Sequence, residues 1–152
     1  MPDKRFRSRS RAREYAFQMM YRYCMTGEDA QSIPSTFWEP LGEVKSEQRE
    51  FADTLFQGAS EKVEEHNVMI EEFLREGWNY DRLGEIEKNA LRLGIYELFL
   101  GESPYYAVVN DYVSISKKYG DDGIASLVNG MLENIRKTYK LTDGEDAAQK
   151  EG

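Results

Sequence analysis

Five arginines alternate through "RFRSRSRARE", at Arg5, Arg7, Arg9, Arg11 and Arg13. An arginine keeps its charge at cellular pH and offers a flat fork of donors that suits phosphates and stacks on bases. In an extended chain, residues two apart project to the same side, so Arg5, Arg7 and Arg9 would line one edge of an arm. Once a helix begins, Arg9 and Arg13 share a face. Arg7 and Arg11 do so only if that helix extends backward. Tyr15 and Tyr21 lie close by and offer rings for base stacking. Tyr15 falls on an apolar stripe and reads as core, whereas Tyr21 falls off it and reads as exposed. Arginine planes and aromatics together favour unpaired RNA over duplex.

The setting sharpens this chemistry. The 152-residue chain holds 20 basic and 28 acidic residues, a formal net charge of −8. Six basic residues and one acidic residue fall in positions 1–13, giving +5 there and −13 over the remainder. Such a basic arm on an acidic body fits an anionic partner held at one place and repelled elsewhere.

Other chemistry finds no support in the residue pattern. A chain with one histidine, His66, and one cysteine, Cys24, cannot assemble a Cys/His zinc site. No Glu-x-x-His pair suits a di-iron bundle, and no Gly-x-Ser-x-Gly elbow occurs. "GDDG" at Gly120–Gly123 lacks the Lys-Ser/Thr of a phosphate loop and reads as an acidic turn between helices. No catalytic residue, metal or cofactor is therefore expected. No apolar run approaches the ~20 residues that span a bilayer, and no apolar stretch follows the basic start as in a secretory signal. A single cysteine suits a reducing cytosol.

The elements that would position the arginines follow from spacing. Residues 1–9 lack apolar periodicity and are expected to form a flexible basic arm. Ala12, Tyr15, Ala16, Met19, Met20 and Tyr23 predict a helix over about 10–25, capped by Ser10 and stopped at Thr26-Gly27. Ile33, Phe37, Trp38 and Leu41 suggest a short helix ending near Pro40. Phe51 to Leu74 form one long helix or two, broken near His66-Asn67, with Ser46 as cap and Gly77 as stop. Leu83 to Leu98 are apolar over so much of the helix circumference that this segment should sit at the centre of a core. Further helices are expected over about 107–119 and 124–138. Residues 142–152 read as a disordered acidic tail, and residues 10–141 as one domain. No period-two alternation appears, so the fold is all-α.

Three ordered stretches resemble the NusB transcription antitermination factors. The first is Arg11-Ala12-Arg13-Glu14 with Ala16, Gln18 and Tyr21. The second is Trp78, Arg82-Leu83, Glu87-Lys88 and Leu91 to Leu98. The third is Pro104, Val108-Val109-Asn110, Val113, Lys117 to Gly120, and Val128-Asn129-Gly130 followed by Leu132. The resemblance implies about seven helices in two small bundles packed roughly perpendicular. It implies a cytoplasmic, non-catalytic factor that binds boxA RNA with NusE, a ribosomal small-subunit protein. Such a factor joins an RNA polymerase antitermination complex in ribosomal RNA transcription. Some members form homodimers that cover the RNA surface.

Carried over by position, that surface comprises Arg9, Arg11, Arg13, Tyr21 and Gln18, with Arg5 and Arg7 compensating for Ser10, which interrupts the usual arginine run. The NusE-facing residues are Glu87, Tyr105, Tyr119 and Leu127, with Asp122 standing beside the position where relatives often carry an acid. Here Gly123, Ser126 and Leu127 depart from the family pattern. Two other readings stay open: a helical interaction module whose basic arm meets an acidic partner, and an RNA-binding domain of the kind that precedes ribosomal RNA methyltransferases. The latter would need a catalytic domain beyond the acidic tail.

Overall fold

The helix that carries the arginines starts at Lys4, six residues ahead of the apolar pattern. The computed structural model describes residues 4–141, with side chains from Arg7 onward. Residues 1–3 and the tail expected over 142–152 lie outside the described residues. Helix α1 runs Lys4–Thr26, so the segment expected to be a flexible arm is helical from its fourth residue. Arginine is a good helix former, and Ser8 and Ser10 do not interrupt. Neighbours on α3 (Ser46–Glu61) supply what periodicity could not reveal. The Gln48 side-chain amide donates to the Ser8 carbonyl at 3.4 Å, and the Arg9 guanidinium lies 4.7 Å from the Phe51 ring centroid. Gly27 stops the helix in the left-handed region, at φ 72°, as its sequence position predicts.

The remaining elements are α2 (Ile33–Trp38), a 3-10 turn (Glu39–Leu41), α3, α4 (Val63–Phe73), a 3-10 turn (Tyr80–Arg82), α5 (Glu85–Leu100), α6 (Tyr105–Tyr119) and α7 (Asp122–Thr138). No strand occurs among the described residues. The domain expected over 10–141 contains two compact units that divide between Lys62 and Val63. The break between α3 and α4 therefore falls at Lys62, four residues before His66. Ala59, His66 and Ile70 are each buried, and their sequence intervals of seven and four are those of a single helix, so spacing alone could not mark the break. Glu64 and Glu65 in the first turn of α4 suit a helix start, where the dipole favours negative charge. Ser46 is the first helical residue of α3 and Lys45 its cap position, without a side-chain capping bond.

In the first unit α1 packs along α3, and α2 packs against α1. Ala16, Phe17, Met19 and Met20 of α1, Ile33 and Trp38 of α2, and Leu55 and Phe56 of α3 are buried. Tyr15 meets Trp38 edge-on, with ring centroids 5.0 Å apart. The Trp38 indole N–H donates to Asp53 Oδ1 at 2.8 Å, tying α2 to α3. In the second unit α5 contacts α4, α6 and α7, which is the central place its apolar circumference predicts. Gly94 permits the close approach of α7: a Cβ there would lie 2.8 Å from Leu132 Cδ1. Asp121 caps α7, accepting from the Ile124 N–H at 2.8 Å, so part of the acidic turn has a structural job.

Candidate nucleic-acid interface

Helical geometry sorts the arginines into two faces. Residues two apart on a helix diverge by roughly 200°, whereas residues four apart nearly coincide. Arg7 and Arg11 are exposed and line an open cleft of about 470 Å³ with Tyr15, Lys45 and Gln48. Ser8, Glu43 and Val44 complete its walls. Three cations against one carboxylate make the cleft basic, and Tyr15 supplies an aromatic edge. Gln18 and Tyr21 continue the Arg7–Arg11 face at intervals of seven and three, and Tyr21 is 40% exposed. It stands roughly 15 Å along the axis from Arg11.

Arg9 and Arg13 point the other way. Both guanidinium groups lie over Phe51, at 4.7 and 5.7 Å from its ring centroid. Arg13, expected on the RNA-facing surface, is only 1% exposed, its register turning it onto α3. Arg5 lies within α1, with its side chain outside the described ones. The extended comb of Arg5, Arg7 and Arg9 is replaced by a helical pair, Arg7 and Arg11. Lys45 and Gln48 escape a reading of the sequence because nothing in the linear pattern says that the start of α3 lies beside the start of α1.

The residues expected to face NusE are placed unevenly in the second unit. Glu87 is 8% exposed. Its carboxylate folds back over the start of its own helix, where a Cβ on Gly84 would lie 3.0 Å from Oε1. This is the third helical position, from which a glutamate serves the first turn. Tyr105 is half-buried with the Arg136 guanidinium 3.9 Å from its ring centroid, and Arg136 pairs with Glu133 at 3.2 Å. Asp122 is exposed and lies 3.6 Å from Lys117, while the Lys118 ammonium sits 5.5 Å from the Tyr119 ring centroid. Leu127 lines a second cleft, of about 230 Å³, with Phe73, Arg75, Trp78 and Ser126. Trp78 is 50% exposed, a placement that its position in a sequence motif does not reveal.

The second unit carries its own charges inside. Arg92 is buried and donates to Asn67 at 2.9 Å, Asn89 at 2.8 Å and Tyr80 at 3.0 Å. Glu97 is buried and accepts from the Tyr112 hydroxyl at 3.1 Å. Among the described residues no group of three or more histidine, cysteine or acidic side chains is arranged to hold a metal. No helix there is long and apolar enough to cross a membrane.

Fold and cleft together define an all-helical protein with a basic, aromatic-edged face suited to a polyanion. The NusB family model matches residues 10–137. The transcription antitermination protein NusB of Aquifex aeolicus is 37% identical over 141 residues, covering 92% of this chain and 95% of its own. That of a Nitratiruptor species is 35% identical over 133 residues, covering 88% and 94%. A crystal structure of antitermination factors NusB and NusE in complex with double-stranded RNA matches at TM-score 0.79 and 36% identity, covering 90% of this chain and 100% of that one. This chain belongs to the NusB family of transcription antitermination factors.

Proposed function

We propose that this factor binds the single-stranded boxA segment of nascent RNA through the Arg7–Arg11–Lys45 cleft, together with NusE, within the RNA polymerase antitermination complex of ribosomal RNA operons in the cytoplasm. The observation that carries the reading is the cleft itself. Three exposed cations, two from α1 and one from the cap position of α3, surround one concavity edged by Tyr15. Phosphates meet the cations, and an unpaired base meets the aromatic edge. Gln18 and Tyr21 extend the contact along α1. Arg9 and Arg13 support it from behind.

For NusE, the proposed surface is Tyr119, Asp122 and Leu127, with the Trp78 wall of the second cleft. Glu87 shapes the first turn of α5, and Tyr105 acts with Arg136 stacked on it. RNA and NusE raise one another's affinity, and the coupling is reciprocal.

A gel shift with boxA RNA, with and without NusE, tests the reading. Single-stranded boxA should shift at lower protein concentration than a scrambled strand or a duplex of the same sequence, and NusE should enhance the shift. Because the related NusB–NusE complex holds double-stranded RNA, a duplex bound more tightly than the single strand would overturn the single-strand reading. An equal shift of boxA and scrambled strands would favour the interaction-module alternative.

A further inference from the structure

We infer that Phe51 is a positioning residue for RNA: by holding the Arg9–Arg13 face of α1, it fixes the opposite face, with Arg7, over the cleft. The inference rests on the reading of that cleft as the RNA site and adds a residue that makes no contact with RNA itself.

The first turns of α1 need an anchor. Residues 4–9 precede the segment that the family model matches, so the turn carrying Arg7 stands ahead of the shared fold. It has no acidic residue in its first turn, and it gathers arginines at the positive end of the helix dipole, where cations are unfavourable. A terminal turn of this kind frays unless packing holds it. The packing comes from α3. Lys45 is the cap position of α3, and Gln48 and Phe51, three apart in its first turns, are neighbours on its surface. Each meets α1 at a different rung. Lys45 shares the cleft with Arg7 and Arg11. Gln48 donates to the Ser8 carbonyl. Phe51 lies under Arg9 and Arg13. Cations are attracted to the face of an aromatic ring, so Phe51 also offsets the repulsion among arginines stacked along one helix edge. One pair of arginines is thereby used to hold the helix while the other faces outward.

The test compares full-length wild type with Phe51→Leu, which keeps apolar bulk and loses the ring, and Phe51→Tyr, which keeps the ring. Binding of a fluorescently labelled single-stranded boxA oligonucleotide is read by anisotropy across a salt series. Amide hydrogen exchange is followed over residues 8–12 and over α5. Phe51→Leu should weaken binding about tenfold, the loss of one stacked cation's support and one phosphate contact. Its salt slope should fall by about 0.7, one single-strand phosphate. Exchange should quicken over residues 8–12 and stay unchanged over α5. Phe51→Tyr should restore all three. Wild-type affinity and slope in Phe51→Leu, or the same losses in Phe51→Tyr, overturn the inference. The triple variant Arg7→Ala, Arg11→Ala, Lys45→Ala separates the two levels. If it binds like wild type, the cleft is not the RNA site and both ideas fall. If it loses binding while Phe51→Leu does not, the cleft stands and only the positioning role is lost.

Discussion

Two groups of charges, one in each unit, are placed in opposite ways. In the first, Arg7, Arg11 and Lys45 stand exposed around a cleft. In the second, Arg92 and Glu97 are buried and hydrogen-bonded to neutral polar groups. The difference teaches what each kind of charge is for. An exposed cation contributes little to folding, because water solvates it equally well in the unfolded chain. It remains available to a ligand. A buried cation is fully engaged by its partners, and removing it strands them in the interior. Effects on stability and on RNA affinity should therefore separate between these two groups.

The largest effect should come from Arg92→Ala. Asn67, Asn89 and Tyr80 would each lose a hydrogen-bond partner, and Glu85, 3.7 Å away, would lose its counter-charge. A cost of about 3–5 kcal/mol is expected in urea unfolding, with the RNA affinity of the folded fraction unchanged. A change below about 1 kcal/mol, the range of ordinary surface substitutions, would break the comparison on its structural side.

Next comes the triple variant Arg7→Ala, Arg11→Ala, Lys45→Ala. Removing three phosphate contacts to a single strand costs about a hundredfold in affinity near 0.1 M salt. Its unfolding free energy should stay within about 0.5 kcal/mol of wild type per site. Strong destabilisation would mean that these cations hold the fold instead of a ligand.

Gly94→Val tests the packing around the buried charges. The new Cβ meets Leu132 at 2.8 Å, and Leu132 is buried. A loss of about 1–3 kcal/mol in thermal unfolding is expected from overpacking. An unchanged melting temperature would show that α5 and α7 separate freely.

The smallest effect concerns two carboxyls in the first unit that respond to pH with opposite sign. Glu28 is held below the ordinary carboxylate range by its hydrogen bond from Arg22, at 2.6 Å. Its contribution is present above the unfolded value and is lost as pH falls through the folded one. Asp53 is raised by burial, against the opposing bond from Trp38 and the nearby Arg49. Its folded form holds the proton longer, so stability falls as pH rises through the raised value. Asp53→Asn keeps an acceptor for the indole N–H and removes that fall. As pH rises above the ordinary aspartate value of about 4, thermal midpoints should therefore decline less in the variant than in wild type.

Much of this arrangement is legible in the residues, and the rest has a physical reason for hiding. The breadth of apolar positions from Leu83 to Leu98 announces the central helix. Gly27 marks the end of α1, where it adopts the left-handed conformation. The start of α1 is hidden, because arginine and serine carry no apolar period and the turn is held by α3. The break at Lys62 is hidden because the apolar intervals in the sequence run through it as they would in a single helix. On the proposed RNA surface, the exposure of Arg7, Arg11 and Tyr21 is legible from type and spacing. Lys45 is not, since its membership depends on which helices lie side by side. Arg13 looks like a surface cation because charge alone does not reveal which way a residue four positions from Arg9 must turn.

The most direct measurement is the salt dependence of binding to single-stranded boxA RNA, compared between wild type and the triple cleft variant. With about four phosphates neutralised, log K should fall with log salt at a slope of roughly −3, easing to about −1 once three cations are gone. The same slope in both proteins, or a flat profile in wild type, would contradict the claim that exposed cations of the α1–α3 cleft grip the RNA.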